Sequence, residues 1–150
     1  MSETNIHVQL KQKQDYQFDI HFGGAIPAIM SDEPAPLGTG LGPSPSQLLA
    51  AAVGNCLSDS LLFALRKFKQ SPEPLSCDVH AEIGRNAEGR VRVLHMKAVL
   101  MLGVPATSLA LAQLERVLST FETYCTVTQS VGQGIPISLE VFDALGVRLK

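Results

Sequence analysis

Cys56 sits inside the apolar run Leu48-Leu49-Ala50-Ala51-Ala52-Val53-Gly54-Asn55-Cys56-Leu57, and Cys125 sits far downstream in Tyr124-Cys125-Thr126-Val127-Thr128. The first reads as a residue of a buried helix and the second as a residue at a helix start. A thiolate at one position and a thiol at the other would suit attack on a substrate followed by resolution as a disulfide. Each cysteine also has a plainer reading, because free cysteine is among the most buried residue types and packs as a small hydrophobe. For Cys125 the free N–H groups and the dipole of a helix start would lower the thiol pKa. Asp59 and Ser60, at i+3 and i+4, share the face of Cys56. A carboxylate there would oppose a thiolate, so Asp59 reads as a solvated or dimer-facing residue rather than a base. The remaining cysteine, Cys77, falls in the apolar phase of a strand and reads as core.

Other chemistries find less support. His7, His21, His80 and His95 are scattered over strands, no pair has metal-ligand spacing, and there is no C-x-x-C. Gly38-x-Gly40-x-Gly42 looks like a phosphate loop only on the surface. It has no suitably placed lysine and is flanked by prolines, so it reads as a bent connector. No cofactor is called for.

The elements that must position the cysteines follow from the periodicity. Ile6, Val8 and Leu10 alternate with polar residues, as do Tyr16, Phe18, Ile20 and Phe22, which predicts two half-buried strands with a turn over Gln12–Asp15. Gly23-Gly24 ends the second strand, and a short third is expected over Ala25–Met30. Residues 31–45 hold four prolines and three glycines and form a long loop, of the kind that is often functional. A helix is predicted from Ser46 to about Lys69, stopped by Pro72 and Pro74. It is apolar nearly all round from Leu48 to Leu57, which predicts a central buried helix. Strands follow over residues 75–83 and 90–102, joined by a turn at residues 85–89. The apolar phase of the second slips near Val93-Leu94, which predicts a bulge. A helix is expected from Thr107 to about Phe121, capped by Thr107 or Ser108, then a short one from Cys125 to about Val131 and a last strand over residues 135–141. The order is βββ-α-ββ-α-α-β, an α+β fold.

A chain of 150 residues is expected to be a single domain, residues 1–150, with a core large enough to need no disulfides. The net charge of −2 and the lack of a basic patch argue against nucleic acid. The apolar run of residues 48–57 is about half of the roughly 20 residues a membrane span needs, and no signal pattern opens the chain. The expected location is the cytoplasm, where cysteines are kept free or redox-active.

The two cysteine segments resemble the OsmC/Ohr family, the osmotically inducible protein C and organic hydroperoxide resistance proteins. Pro45 to Leu57 is similar to the stretch around that family's peroxidatic cysteine. Cys125-Thr126-Val127-Thr128-Gln129-Ser130-Val131, followed by Ile135 to Val141, is similar to its resolving-cysteine helix and last strand. The resemblance implies an OsmC-like fold, an intertwined homodimer with sites at the subunit interface, and a thiol peroxidase of oxidative-stress defence. Cys56 would be peroxidatic and Cys125 resolving, close enough for a disulfide, with Cys77 apart. An organic hydroperoxide or other small apolar substrate and an external dithiol reductant would be its partners.

The family's peroxidases activate the cysteine with an arginine and with a glutamate just after the helix-opening proline. Here the helix opens Pro45-Ser46-Gln47, without an acid, and no arginine precedes Arg66. Losing such stabilisation costs roughly 10²–10³-fold in rate, so slow turnover is expected. Ser44, Ser46 and Gln47 are the candidate substrate-binding groups, as neutral hydrogen-bonders. The competing expectation is a non-catalytic small-molecule-binding dimer on the same fold.

Overall fold

The computed structural model describes residues 2–150. The chain divides into two compact units, one up to Leu48 and one from Leu49 to Lys150.

The first unit is an antiparallel sheet of β1 (Gln9–Gln14), β2 (Gln17–His21) and β3 (Ile29–Ser31), in the order β1-β2-β3. The first strand starts later than the alternation of Ile6 predicts, and residues 12–14 are strand rather than turn. The turn is Asp15-Tyr16, where Asp15 takes a φ of 47°, a conformation Asp tolerates better than most residues. The register shift between Gln12 and Gln14 absorbs the odd residue. The third strand is also shorter than expected. Gly23 and Gly24 turn the chain with φ of 90° and 56°, and Pro27 has no N–H to offer a ladder.

The long loop is organised by a buried carboxylate. Asp32 is 2% exposed and accepts hydrogen bonds from the hydroxyl of Thr39, the N–H groups of Thr39, Leu41 and Glu33, and the amide of Gln17. A Cβ on Gly38 would collide with the Glu33 carbonyl, and one on Gly42 with the Met30 carbonyl. The glycines are therefore there to let the loop fold tightly around Asp32.

Helix α1 (Pro45–Lys67) starts with a capping box. The Gln47 N–H donates to Ser44 Oγ at 3.3 Å and the Ser44 N–H donates to Gln47 Oε1 at 2.8 Å, with Pro45 at the first helical position. The helix ends at Lys67 because Lys69 turns left-handed, φ 58°, and the Gln70 N–H reaches back to the Leu65 carbonyl. By length and composition α1 would also suit a membrane span, but Val53, Leu57, Leu61 and Leu65 form a fully buried stripe.

The second unit packs that stripe on the sheet of β4 (Ser76–Arg85), β5 (Val91–Met101) and β6 (Ile137–Phe142), in the order β4-β5-β6. Strands β4 and β5 are antiparallel. Glu82 faces His95 and Ile83 faces Val93, so Leu94 is the extra residue of a bulge where the phase slip predicts one. Between β5 and β6 come a 3-10 turn (Ala106–Ser108), α2 (Leu111–Thr120), a second 3-10 turn (Phe121–Tyr124) and α3 (Thr126–Val131). The helix expected from Thr107 is interrupted. Leu109 is extended and buried, and neither Thr107 nor Ser108 caps α2; its first N–H partner is Gln70, whose Oε1 accepts from Ala110 at 2.8 Å. Met96, Ala98 and Leu100 of β5 face the α1 stripe, with Leu114, Val117 and Phe121 closing the core. Each fully buried leucine here contributes about 1.5–3 kcal/mol. The element order is βββ-α-ββ-α-α-β and the fold is α+β.

Gly54 sets how closely α1 approaches the sheet. A Cβ on it would meet Val79 Cγ2 at 2.7 Å and Cys77 Sγ at 3.4 Å.

Two outcomes are expected. Gly54→Ala gains about 1 kcal/mol of helix propensity but overpacks Val79 at a cost of about 1–3 kcal/mol, so denaturant melts should show a net loss of about 1 kcal/mol. Adding Val79→Ala should cost less in that background than alone; additive losses would show that the close approach is not what Gly54 serves. For Asp32, the Thr39 hydroxyl and then the loop N–H groups hold the carboxyl at about 2, below its ordinary 3.8. Its contribution is therefore present above pH 3.8 and lost as pH falls through about 2. Amide exchange at Thr39 and Leu41 should speed up over that window, and Asp32→Asn should show the same fast exchange at neutral pH.

Candidate functional site

Strands β5 and β6 pair in parallel, and parallel strands need a crossover connection. The helices α2 and α3 form it, and Cys125 stands at their junction as the N-cap of α3, with φ −80° and ψ 102°. Its N–H donates to the Glu122 carbonyl at 3.1 Å, and its side chain is fully buried. Its thiol donates to Thr128 Oγ1 at 3.0 Å.

Cys56 is half-buried on α1, two residues after Gly54 and one before the fully buried Leu57. The fold brings it to Cys125. Burial pushes the Cys56 thiol above its ordinary 9.0, and the Cys125 thiol pushes the same way, as an acceptor for the protonated Cys56 and as a second ionisable group beside it. The N–H groups of Val127 and Thr128, at the start of α3, pull in the other direction. The sequence reading gives those amides to Cys125; in the fold they point their favourable charge at Cys56. All three cysteines are free thiols.

Cys77 packs against Gly54 on the β4 side of α1. Burial raises its pKa, the Ser58 side chain lowers it, and the Asp78 charge raises it. Asp59 is exposed and accepts from Asn55 Nδ2 at 2.9 Å. Ser44 Oγ and Gln47 Oε1 serve as acceptors in the helix cap described above, and Ser46 lies in the first turn beside them.

An open groove of about 470 Å³ runs between the second half of α1 and α2 with its following 3-10 turn. Neither cysteine lines it. Asp59 and Ser60, one turn on from Cys56, and Tyr124, next to Cys125, form its near end, and Phe63, Ala64 and Phe121 line its apolar middle. Lys67 and Arg116 also line it, and the Arg116 guanidinium stacks over Phe68 at 5.6 Å from the ring centre.

Sequence reasoning missed Thr128 and the cations. Thr128 has a faint signal, a hydroxyl three residues after a cysteine at a helix start. Lys67 and Arg116 have none, since they come together only when α1 and α2 pack.

Comparison with known proteins agrees with this architecture. The model for the OsmC-like protein family matches residues 38–140. An OsmC-like protein of unknown function from Vibrio cholerae superposes with a TM-score of 0.74 at 20% identity, covering 94% of this chain and 99% of that one. An organic hydroperoxide resistance protein OsmC from Legionella pneumophila gives 0.71 at 14% identity, with coverage of 96% and 100%. The organic hydroperoxide resistance protein OhrB of Bacillus subtilis gives 0.68 at 13% identity, with coverage of 92% and 98%. No curated protein is significantly similar in sequence. With the family model matching most of its length, on a fold that sets a crossover cysteine beside one on the long helix, the chain belongs to the OsmC-like protein family.

Proposed function

We propose that this protein is a thiol-dependent hydroperoxide reductase, with Cys56 as the peroxidatic and Cys125 as the resolving residue. The observation that carries the reading is the pairing of two reduced thiols that lie far apart in sequence. The Cys56 thiolate attacks the outer oxygen of an organic hydroperoxide. The O–O bond breaks, Cys56 keeps the hydroxyl as a sulfenic acid, and the alkoxide takes up the proton that Cys56 lost and leaves as the alcohol. Cys125 then attacks the Cys56 sulfur. A disulfide forms, and the departing hydroxide takes the Cys125 proton and leaves as water. An external dithiol exchanges with the disulfide, becomes oxidised itself and restores both thiols.

The activation differs from the family pattern. What favours the Cys56 thiolate is a pair of backbone N–H groups, and burial and Cys125 outweigh them. The Thr128 hydroxyl accepts from the Cys125 thiol and so fixes its direction while Cys56 is the attacking group. Turnover is accordingly slow.

On this reading residues 1–150 act as one domain in a homodimer in the cytoplasm, in defence against organic hydroperoxides. Surface chemistry supports a second copy. Among the described hydrophobic side chains of the first unit only Ile20 is buried, while Ile6, Leu10, Ile26 and Leu41 are exposed, an apolar surface that monomers rarely leave open. Titrated with an organic hydroperoxide, the protein should lose two hydrogens per chain by intact mass, and peptide mapping should link Cys56 to Cys125 and leave Cys77 free. Cys125→Ser should stop at a trappable sulfenic acid. Unchanged thiols under excess peroxide would favour a binding dimer without catalysis. Because the Cys56 pKa is raised, its thiolate fraction at neutral pH lies below that of a free thiol, and its alkylation rate should climb about tenfold per pH unit through pH 9. A plateau near neutral pH would mean that a cation outside this chain's own residues is supplied to the site.

A further inference from the structure

The corner that carries Cys125 is held from outside the crossover. After β6 the chain turns over residues 143–147, where the buried Asp143 carboxylate accepts the Leu145 and Val147 N–H groups at 3.0 and 2.8 Å. It then comes back along the strand. Phe142 bridges to Arg148, the Leu149 N–H donates to the Val141 carbonyl at 2.7 Å, and the Val141 N–H donates to the Lys150 carbonyl at 3.2 Å. Val141 is fully buried and Leu149 packs against the core, so residues 148–150 are fixed to the sheet. From there the Lys150 side chain reaches the junction of α2 and the 3-10 turn after it.

Its ammonium has three partners at that junction. It donates to the Leu118 carbonyl at 2.6 Å and to Glu122 Oε1 at 2.7 Å, and it stands 5.5 Å from the centre of the Phe121 ring. Leu118 lies in the last turn of α2, where carbonyls lack helical partners and the dipole favours a cation. Among the described residues, Lys150 is the least exposed of the four cations in ion pairs, 26% against 44% or more, so water screens this pair least.

Glu122 passes the restraint on. Its carboxylate meets Lys150, and its carbonyl accepts the Cys125 N–H at 3.1 Å and the Gln129 side-chain amide at 3.1 Å. One residue thus ties Lys150 to the Cys125 backbone and to α3. Cys56 rides on α1, which Gly54 and the leucine stripe hold separately. The two sulfurs therefore sit on independently anchored elements, and the Lys150 tie fixes one against the other.

We propose that Lys150 is a positioning residue for disulfide formation, a reading that rests on the resolving role of Cys125. In that step the Cys125 sulfur attacks the sulfenic sulfur of Cys56. The S–S bond forms as the S–O bond breaks, and the departing hydroxide takes the Cys125 proton and leaves as water. The rate depends on how much of the time the corner presents Cys125 to Cys56, which is an effective concentration. Lys150 raises it by tying the corner to the sheet on which α1 packs. It acts through Glu122 and forms no bond in the step. The attack of Cys56 on peroxide does not need the tie.

The test separates the two steps in the full chain. Lys150→Met keeps the apolar stem and removes the charge. Sulfenic acid should form at an unchanged rate, while its conversion to the disulfide should slow about tenfold, so that a sulfenic-acid trap captures Cys56 in the variant. In a dithiothreitol redox buffer without peroxide, the Cys56–Cys125 disulfide should be about tenfold less favoured, a rise of about 30 mV in potential. Lys150→Arg can still pair with Glu122 and lie over Phe121, and it should recover most of both losses. Raising salt should slow disulfide formation in the parent more than in Lys150→Met. Should Lys150→Met fail to fold, Glu122→Gln weakens the pair from the other side, keeps the Glu122 carbonyl, and should show the same split at smaller size. An unchanged disulfide rate and potential, a fall in both chemical steps together, no recovery with arginine, or a parent that forms no such disulfide in the buffer would overturn the proposal. A parent that ignores peroxide yet loses disulfide stability on Lys150→Met would sink the reductase reading and leave the role of Lys150 standing.

Discussion

Helix α1 runs so close to β4 that position 54 has no room for a side chain: Val79 Cγ2 stands 2.7 Å from where a Cβ would begin. That contact fixes both the depth and the rotation of the helix. Once Gly54 faces β4, Leu57, Leu61 and Leu65 must follow on the buried stripe, since they continue its period of about 3.6. Cys56 then lies at the edge of the stripe, half-buried and turned toward the crossover rather than into the sheet. A larger residue at position 54 would lift the helix and move the sulfur with it. Cys77, which shares the contact, is held as packing.

The second half of the site comes from topology. A parallel partner for β5 forces a crossover, and this one is built from short pieces, with an extended residue at Leu109 and 3-10 turns at both ends of α2. The breaks let Leu109, Leu114 and Phe121 each reach the core while the chain bends to deliver Cys125 as an N-cap. Backbone N–H groups left free at that helix start then serve the other cysteine. The result is a thiol pair supported by dipoles and hydroxyls rather than by ionic partners. Such support orients the sulfurs well but lowers a thiol pKa less than a buried cation would.

The loop of residues 31–45 is organised from within. Gly38 and Gly42 have a packing reason, Gly40 takes a left-handed φ of 70°, and the centre is a carboxylate that accepts from three loop N–H groups. Asp32 acts there as a fixed acceptor around which backbone N–H groups close.

Much of this was legible along the chain. The period-two runs gave the strands, the all-round apolar stretch gave the long helix, and the phase slip at Val93-Leu94 gave the bulge, because each depends on neighbours within a few residues. The two cysteines stood out for the same reason, each in a local setting that suits a thiol. Where turns fell was less legible: Asp15 in a left-handed conformation and Leu109 pinned in the core override the local pattern, and both depend on what the flanking elements pack against. The reach of Cys56 to Cys125, the gift of the α3 amides to Cys56, and the meeting of Lys67 with Arg116 were decided only by tertiary structure. Each joins residues dozens of positions apart, and such pairs meet only after the α1 stripe and the crossover have closed on the same sheet.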